Sequence, residues 1–84
     1  MDKSDLQMQN VIMYEDFKIK LGKRIKEVRE SKKLSREDVA FSAGFSGSYM
    51  GMIERAEYDF RITKLYSIAK VLNISLSDLL KDID

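Results

Sequence analysis

The chain has 84 residues, 44% hydrophobic and 35% charged, with a formal net charge of +1 and neither cysteine nor histidine. That length supports one domain around a single small core, a size at which pairing with a second copy adds useful stability. Without thiols or imidazoles the usual metal ligands and general bases are missing, and no nucleophile–base pair or phosphate-cradling loop is present, so binding rather than catalysis is expected, with no metal, no cofactor and no small-molecule ligand.

Residues 1–13 mix charge with scattered apolar side chains and keep no sustained period, which predicts a flexible N-terminal arm ahead of a domain spanning 14–84. Asp2, Lys3 and Asp5 do not form a basic region leading into an apolar one, so no secretory signal is read there. The longest apolar run, Val11 to Tyr14, is far short of the ~20 residues that cross a membrane, and the expected location is cytoplasmic.

From Glu15 the pattern becomes helical. Phe17, Leu21, Ile25 and Val28 fall within about 80° of one another, which predicts helix 1 to about Lys33 with this stripe on the core. Positive charge gathers here. Between Lys18 and Arg36 nine basic residues face only Glu27 and Glu30, a local balance of +7, whereas residues 1–17 carry −3, 37–70 carry −1 and 71–84 carry −2. Most of these lysines are expected to form a solvated face.

Ser35 and Asp38 have capping-box spacing, and Leu34 and Val39 occupy the two positions of a hydrophobic staple, so helix 2 opens at Ser35. Gly44 supplies a left-handed stop. Phe45 and Met50 bracket Ser46 in a second staple, which predicts helix 3 from about Ser46 to Ala56, with Met50 and Ile53 in the core. Glu57 to Phe60 form a loop. Ile62, Leu65, Ile68, Ala69 and Leu72 mark helix 4, ended by Asn73; Ser75 with Asp78 opens helix 5, whose apolar positions are Leu76, Leu80 and Ile83. Tyr58, Phe60 and Tyr66 are read chiefly as core. The fold class is all-α, with five helices and no segment that alternates like a strand.

Four blocks carry a family resemblance: L-G-K-R-I-K-E-V-R-E from Leu21 to Glu30, L-S-R-E-D-V-A from Leu34 to Ala40, S-Y-M-G-M-I-E-R from Ser48 to Arg55, and I-A-K-V-L-N-I-S from Ile68 to Ser75. In this order and spacing they resemble the lambda-repressor-like (XRE or Cro-type) helix-turn-helix family. The short chain, the third block and the ending on helix 5 look most like restriction-modification controller proteins, with phage and mobile-element repressors nearly as good a match. The resemblance implies a cytoplasmic, sequence-specific transcription regulator that places helix 3 in the major groove of double-stranded DNA while helix 2 crosses the backbone.

Carried over by position, Ser46, Gly47, Ser48, Tyr49 and Met52 would face DNA, and Arg36 and Arg55 would contact phosphates, with Lys23 or Lys26 adding more. Tyr49 is equally a candidate for packing on helix 2. Arg29 and Glu54 match positions that pair across helices 1 and 3. Apolar residues left on the last two helices predict a homodimer through Tyr66, Leu76, Leu80 and Ile83, set on a near-palindromic operator. Two departures stand out. From Ser46 to Met52 there is no Arg, Lys, Asn or Gln to read a base edge in two places at once, and Ala56 stands where the family often has glycine. The uncharged surface on helix 3 keeps a second function open: a protein-interaction module, antitoxin or adaptor, on the same scaffold.

Overall fold

The computed structural model describes residues 2–83. They form five helices: α1 Lys3–Ser31, α2 Arg36–Ala43, α3 Gly47–Glu54, α4 Ile62–Val71 and α5 Leu76–Leu80, with no strand among the described residues. Helix α2 packs on α3 and α4, α1 closes over α3 and α5, and α4 meets α5. Leu21 and Ile25 of α1, Val39 of α2, Met50 and Ile53 of α3, and Leu65 and Ile68 of α4 are buried together with Leu72 and Leu79. Burial of each large aliphatic side chain stabilises the fold by about 2 kcal/mol, and every α helix contributes at least one.

Local chemistry sets where these helices start. Ser35 Oγ accepts from the Asp38 N–H at 3.0 Å while Asp38 Oδ2 accepts from the Ser35 N–H at 3.0 Å, a closed capping box. Ser46 and Ser75 cap α3 and α5 by accepting from the N–H groups of Tyr49 and Asp78. The helix ends share one device as well. Lys33, Gly44, Ala56 and Asn73 take left-handed backbone angles, with φ of 58°, 85°, 60° and 55°. The residue after each returns its N–H to a carbonyl five positions back, as Phe45 does to Ala40 at 2.8 Å and Glu57 to Met52 at 2.8 Å. Only one of these four positions is glycine. Ala56 holds the strained angle without that relief, because the turn after α3 requires it.

The first helix differs from its predicted start at Glu15. It begins at Lys3, capped by Asp2, whose carboxylate accepts from the Asp5 N–H at 3.0 Å. Leu6, Gln7, Met8 and Gln9 are good helix formers, and extending a helix already nucleated on the core costs far less than starting one. Residues 2–17 are all exposed. With no core face to serve, they carry no apolar period, which is why the sequence pattern reads as an arm. Met1 and Asp84, the outer residues of the predicted arm and domain, lie outside the described residues.

Three other expectations change. Phe17, assigned to the core stripe, is 39% exposed because it stands at the edge of the body, and Tyr58 and Tyr66 are exposed too, while Phe60 is half-buried. Helix α5 stops at Leu80, and Ile83 lies beyond it, 4% exposed, inside the protomer's own core. The reason is a clamp on the end of α5. The Arg24 guanidinium donates to the carbonyls of Asp78, Leu79 and Lys81, and Asp82 turns the chain inward with φ 59°. Ile83 is therefore withdrawn from the surface that was expected to meet a second subunit.

Glycine matters most at Gly22, in the middle of α1. A Cβ there would stand 2.6 Å from the Glu54 carbonyl oxygen and 2.9 Å from that of Ile53, so α1 crosses α3 at backbone contact. Nothing flexible can yield. Gly22→Ala is expected to cost at least about 2 kcal/mol, and Ala56→Gly, which relaxes the left-handed turn, to gain up to about 1 kcal/mol. In thermal unfolding followed by circular dichroism these are opposite shifts of the midpoint, roughly 4–8 °C per kcal/mol for a domain of this size.

Candidate nucleic-acid interface

Glu54 closes α3, where a carboxylate opposes the helix dipole. Its side chain is 1% exposed and held by two arginines. Arg29 of α1 donates from Nε to Oε2 at 2.7 Å and from Nη2 to Oε1 at 3.1 Å, while its Nη1 donates to the Leu34 carbonyl at 2.8 Å. Arg36, the first residue of α2, donates from Nε to Oε1 at 3.0 Å. One carboxylate thus ties α1, α2 and α3 together, and no buried polar side-chain atom among the described residues is left without a partner. Burial pushes the Glu54 carboxyl upward, but the hydrogen bonds and charges of Arg29 and Arg36 outweigh it and hold the group below its ordinary value.

Above this lock, α2 and α3 form an open groove lined by Arg36, Glu37, Gly47, Ser48, Gly51, Met52 and Arg55. Five of the seven expected DNA-facing residues meet here. Ser48 is exposed at its rim, and Met52 is half-buried. Arg36 is committed through Nε to Glu54, yet its side chain remains 40% exposed, and its Nη groups make no hydrogen bond within the described residues. Arg55 is bound at 2.7 Å to Glu57, and the hydrogen bond between them raises the arginine pKa and lowers that of the carboxylate. A phosphate at Arg55 must compete with that carboxylate.

Ser46 and Tyr49 lie on the other flank of α3, in a cleft shared with Phe45, Tyr58, Asp59, Arg61 and Lys64. Tyr49 is half-buried in an aromatic group, edge-on to Phe45 at 5.1 Å and 5.9 Å from Tyr58, with Lys64 Nζ 4.8 Å above the Phe45 ring. Its packing partners are therefore these rings. Arg61 and Lys64 in this cleft and Glu37 in the α2–α3 groove are lining residues that the sequence reading did not single out. The first two were hidden in the −1 balance of residues 37–70, since charge counted along the chain does not reveal that α4 starts beside α3. Glu37 follows Arg36 directly and could have been placed with it on the first turn of α2.

Gly47 and Gly51 fit the groove for different reasons. A Cβ on Gly47 would stand 3.2 Å from Glu37 Oε1, and one on Gly51 2.9 Å from the Arg55 guanidinium, so the missing side chains leave room for a carboxylate and a cation. Of the basic run on α1, Lys18 pairs with Glu15 and Asp59, Lys20 with Asp16, and Arg24 serves the clamp on α5. Lys23 and Lys26 are exposed.

A sequence profile described as "Helix-turn-helix" matches residues 25–79. The chain is 33% identical over 69 residues to control protein C.SmaI of Serratia marcescens, covering 82% of each chain. It is 37% identical over 57 residues to the immunity repressor protein of Bacillus phage phi105, covering 68% of this chain and 40% of that one. Among solved structures, the restriction-modification controller protein C.AhdI from Aeromonas hydrophila superposes with a TM-score of 0.71 at 34% identity, over 73% of this chain and 92% of that one.

The lowered Glu54 pKa has a definite consequence for stability against acid. The stabilisation is fully present above the carboxylate's unfolded pKa, about 4.3, and is lost as pH falls through the lower native value. Glu54→Gln, which strands Arg29, is expected to cost about 3 kcal/mol at neutral pH. The same substitution should flatten the dependence of the urea midpoint on pH below about 4.3, read from denaturation curves of both proteins between acid and neutral pH.

Proposed function

This chain belongs to the helix-turn-helix family of DNA-binding transcription regulators, and from that premise we propose that it binds a near-palindromic operator as a homodimer, as the cytoplasmic controller of a restriction-modification system. The observation that carries the reading is the groove between α2 and α3, where Arg36, Gly47, Ser48, Met52 and Arg55 line one surface beside the exposed first turns of both helices. Amide donors and guanidinium groups there position the backbone. Ser48 and Met52 supply hydroxyl and apolar contacts to base edges, and sequence-dependent DNA shape supplies the rest of the selectivity. The family's members regulate transcription; no chemical step is assigned.

The dimer is proposed through a shallow apolar groove lined by Ile62, Thr63, Tyr66, Ser67 and Leu76. Tyr66 is 52% and Ile62 62% exposed, and half-buried Leu80 completes the end of α5. Ile83 has no part in it. A two-fold axis there would set the two α3 helices one turn of DNA apart, about 34–36 Å.

A second reading is favoured by Glu37 in the groove and by the carboxylates already holding Arg36 and Arg55: these lower the positive field, which suits a protein partner. Fluorescence anisotropy with a random duplex separates the two. A regulator binds at low salt and weakens steeply as salt rises, whereas an adaptor shows no appreciable affinity. Arg36→Ala is expected to lower affinity for all duplexes alike and to reduce the salt slope by about 1. Glu57→Gln, which frees Arg55, should raise affinity for all of them, and Ser48→Ala should change the preferred sequence in a selection from random duplexes. If Glu57→Gln left binding unchanged, Arg55 would not be a phosphate contact.

A further inference from the structure

The N-terminal side chains of a helix laid in the major groove are the ones that meet base edges, and at the start of α3 that place falls to Gly47, which has no side chain. Another residue fills the space. A Cβ on Gly47 would stand 3.2 Å from Oε1 of Glu37 and 3.3 Å from its Cγ. The Glu37 side chain of α2 therefore lies across the first turn of α3, inside the groove that Arg36, Ser48, Met52 and Arg55 also line.

Its neighbours on α2 are engaged and Glu37 is not. Arg36 donates to Glu54, and Asp38 closes the capping box with Ser35, whereas Glu37, exposed between them, has no hydrogen bond or ion pair among the described residues. The start of α3 favours a negative charge there, because its amides lack helical partners and its own first turn holds no acidic residue. A carboxylate on this surface lowers the affinity for any duplex. What it can add is selection.

An ionised carboxylate only accepts hydrogen bonds. In the major groove guanine presents the N7 and O6 acceptors and thymine the O4 acceptor, so both repel it. Adenine offers its N6 amine but sets the N7 acceptor beside it. Cytosine offers its N4 amine with no acceptor of its own next to it.

We propose that Glu37 reads cytosine: its carboxylate accepts a hydrogen bond from the N4 amine of one cytosine in each half of the operator, standing in for the side chain that position 47 lacks. This rests on the operator binding proposed above and adds a direct reader, supplied by α2, to Ser48 and Met52 of α3.

Selection from a random duplex pool, followed by anisotropy on duplexes changed one base pair at a time, tests this with the wild type, Glu37→Ala and Glu37→Gln at the same low salt. The wild type should require cytosine at one position of each half-site and lose roughly tenfold in affinity when one of them is replaced. Glu37→Gln, whose amide both donates and accepts, should select adenine at that position. Glu37→Ala should accept any base there, keep the preference elsewhere and bind random duplex more tightly. Both variants alter an exposed, unpaired side chain and should keep the wild-type circular dichroism spectrum. If the wild type selects a defined site and both variants select the same one at every position, or lose affinity uniformly, the proposal is overturned while operator binding stands. A wild type with no duplex affinity at low salt, or with no selected sequence, overturns operator binding and the role of Glu37 together.

Discussion

A single buried carboxylate, Glu54, fixes how the two helices of the turn sit on the rest of the molecule. It lies where the dipole of α3 disfavours it, and the two arginines that reverse this come from the two helices α3 must be aligned with. Such a lock adds little net stability compared with an apolar packing of the same volume, but its hydrogen-bond geometry admits few alternatives. The close crossing at Gly22 acts on the same helix end from the other side, through sterics. Electrostatics and excluded volume together leave α3 one position.

That position exposes a face with unusual chemistry for a DNA reader. Its charged groups lie around the edge of α3, and two of the three in the α2–α3 groove are already paired with carboxylates. Any further anion at Arg36 or Arg55 would have to share or displace the carboxylate already bound there. Glu54 holds this face in a fixed orientation relative to α1 and α2. Arg61 and Lys64 add positive charge on the second flank, where Phe45 and Tyr49 hold the lysine in place.

The surface away from the turn is equally organised. Arg24 turns the end of α5 inward and so converts Ile83 from an interface residue to a core one, leaving the apolar contact area of the last two helices centred on Ile62, Tyr66 and Leu76. Most of the remaining exposed apolar area lies on the free half of α1, separated from that patch. A chain of this size thus carries two distinct apolar faces outside its core.

Helix starts were legible residue by residue, because Ser35, Ser46 and Ser75 satisfy the amides two or three positions ahead of them and no distant partner is needed. The core was legible for a related reason: periods of 3.6 in Leu21, Ile25, Leu65 and Ile68 record a face turned to a common interior. The free half of α1 was not, since a helix with nothing to pack on leaves no period. Nor was the left-handed angle at Ala56, which is imposed by the chain that follows and not by alanine's own preference. The amino-acid sequence by itself determined five helices, the corner at Gly44 and the aliphatic stripes of α1, α3 and α4 that form the core, all set by interactions within a few positions along the chain. Only the tertiary structure decided that Arg36 leans on Glu54, that Tyr49 joins an aromatic cleft with Lys64, and that Ile83 is interior, because each depends on which groups from distant segments arrive at the same place.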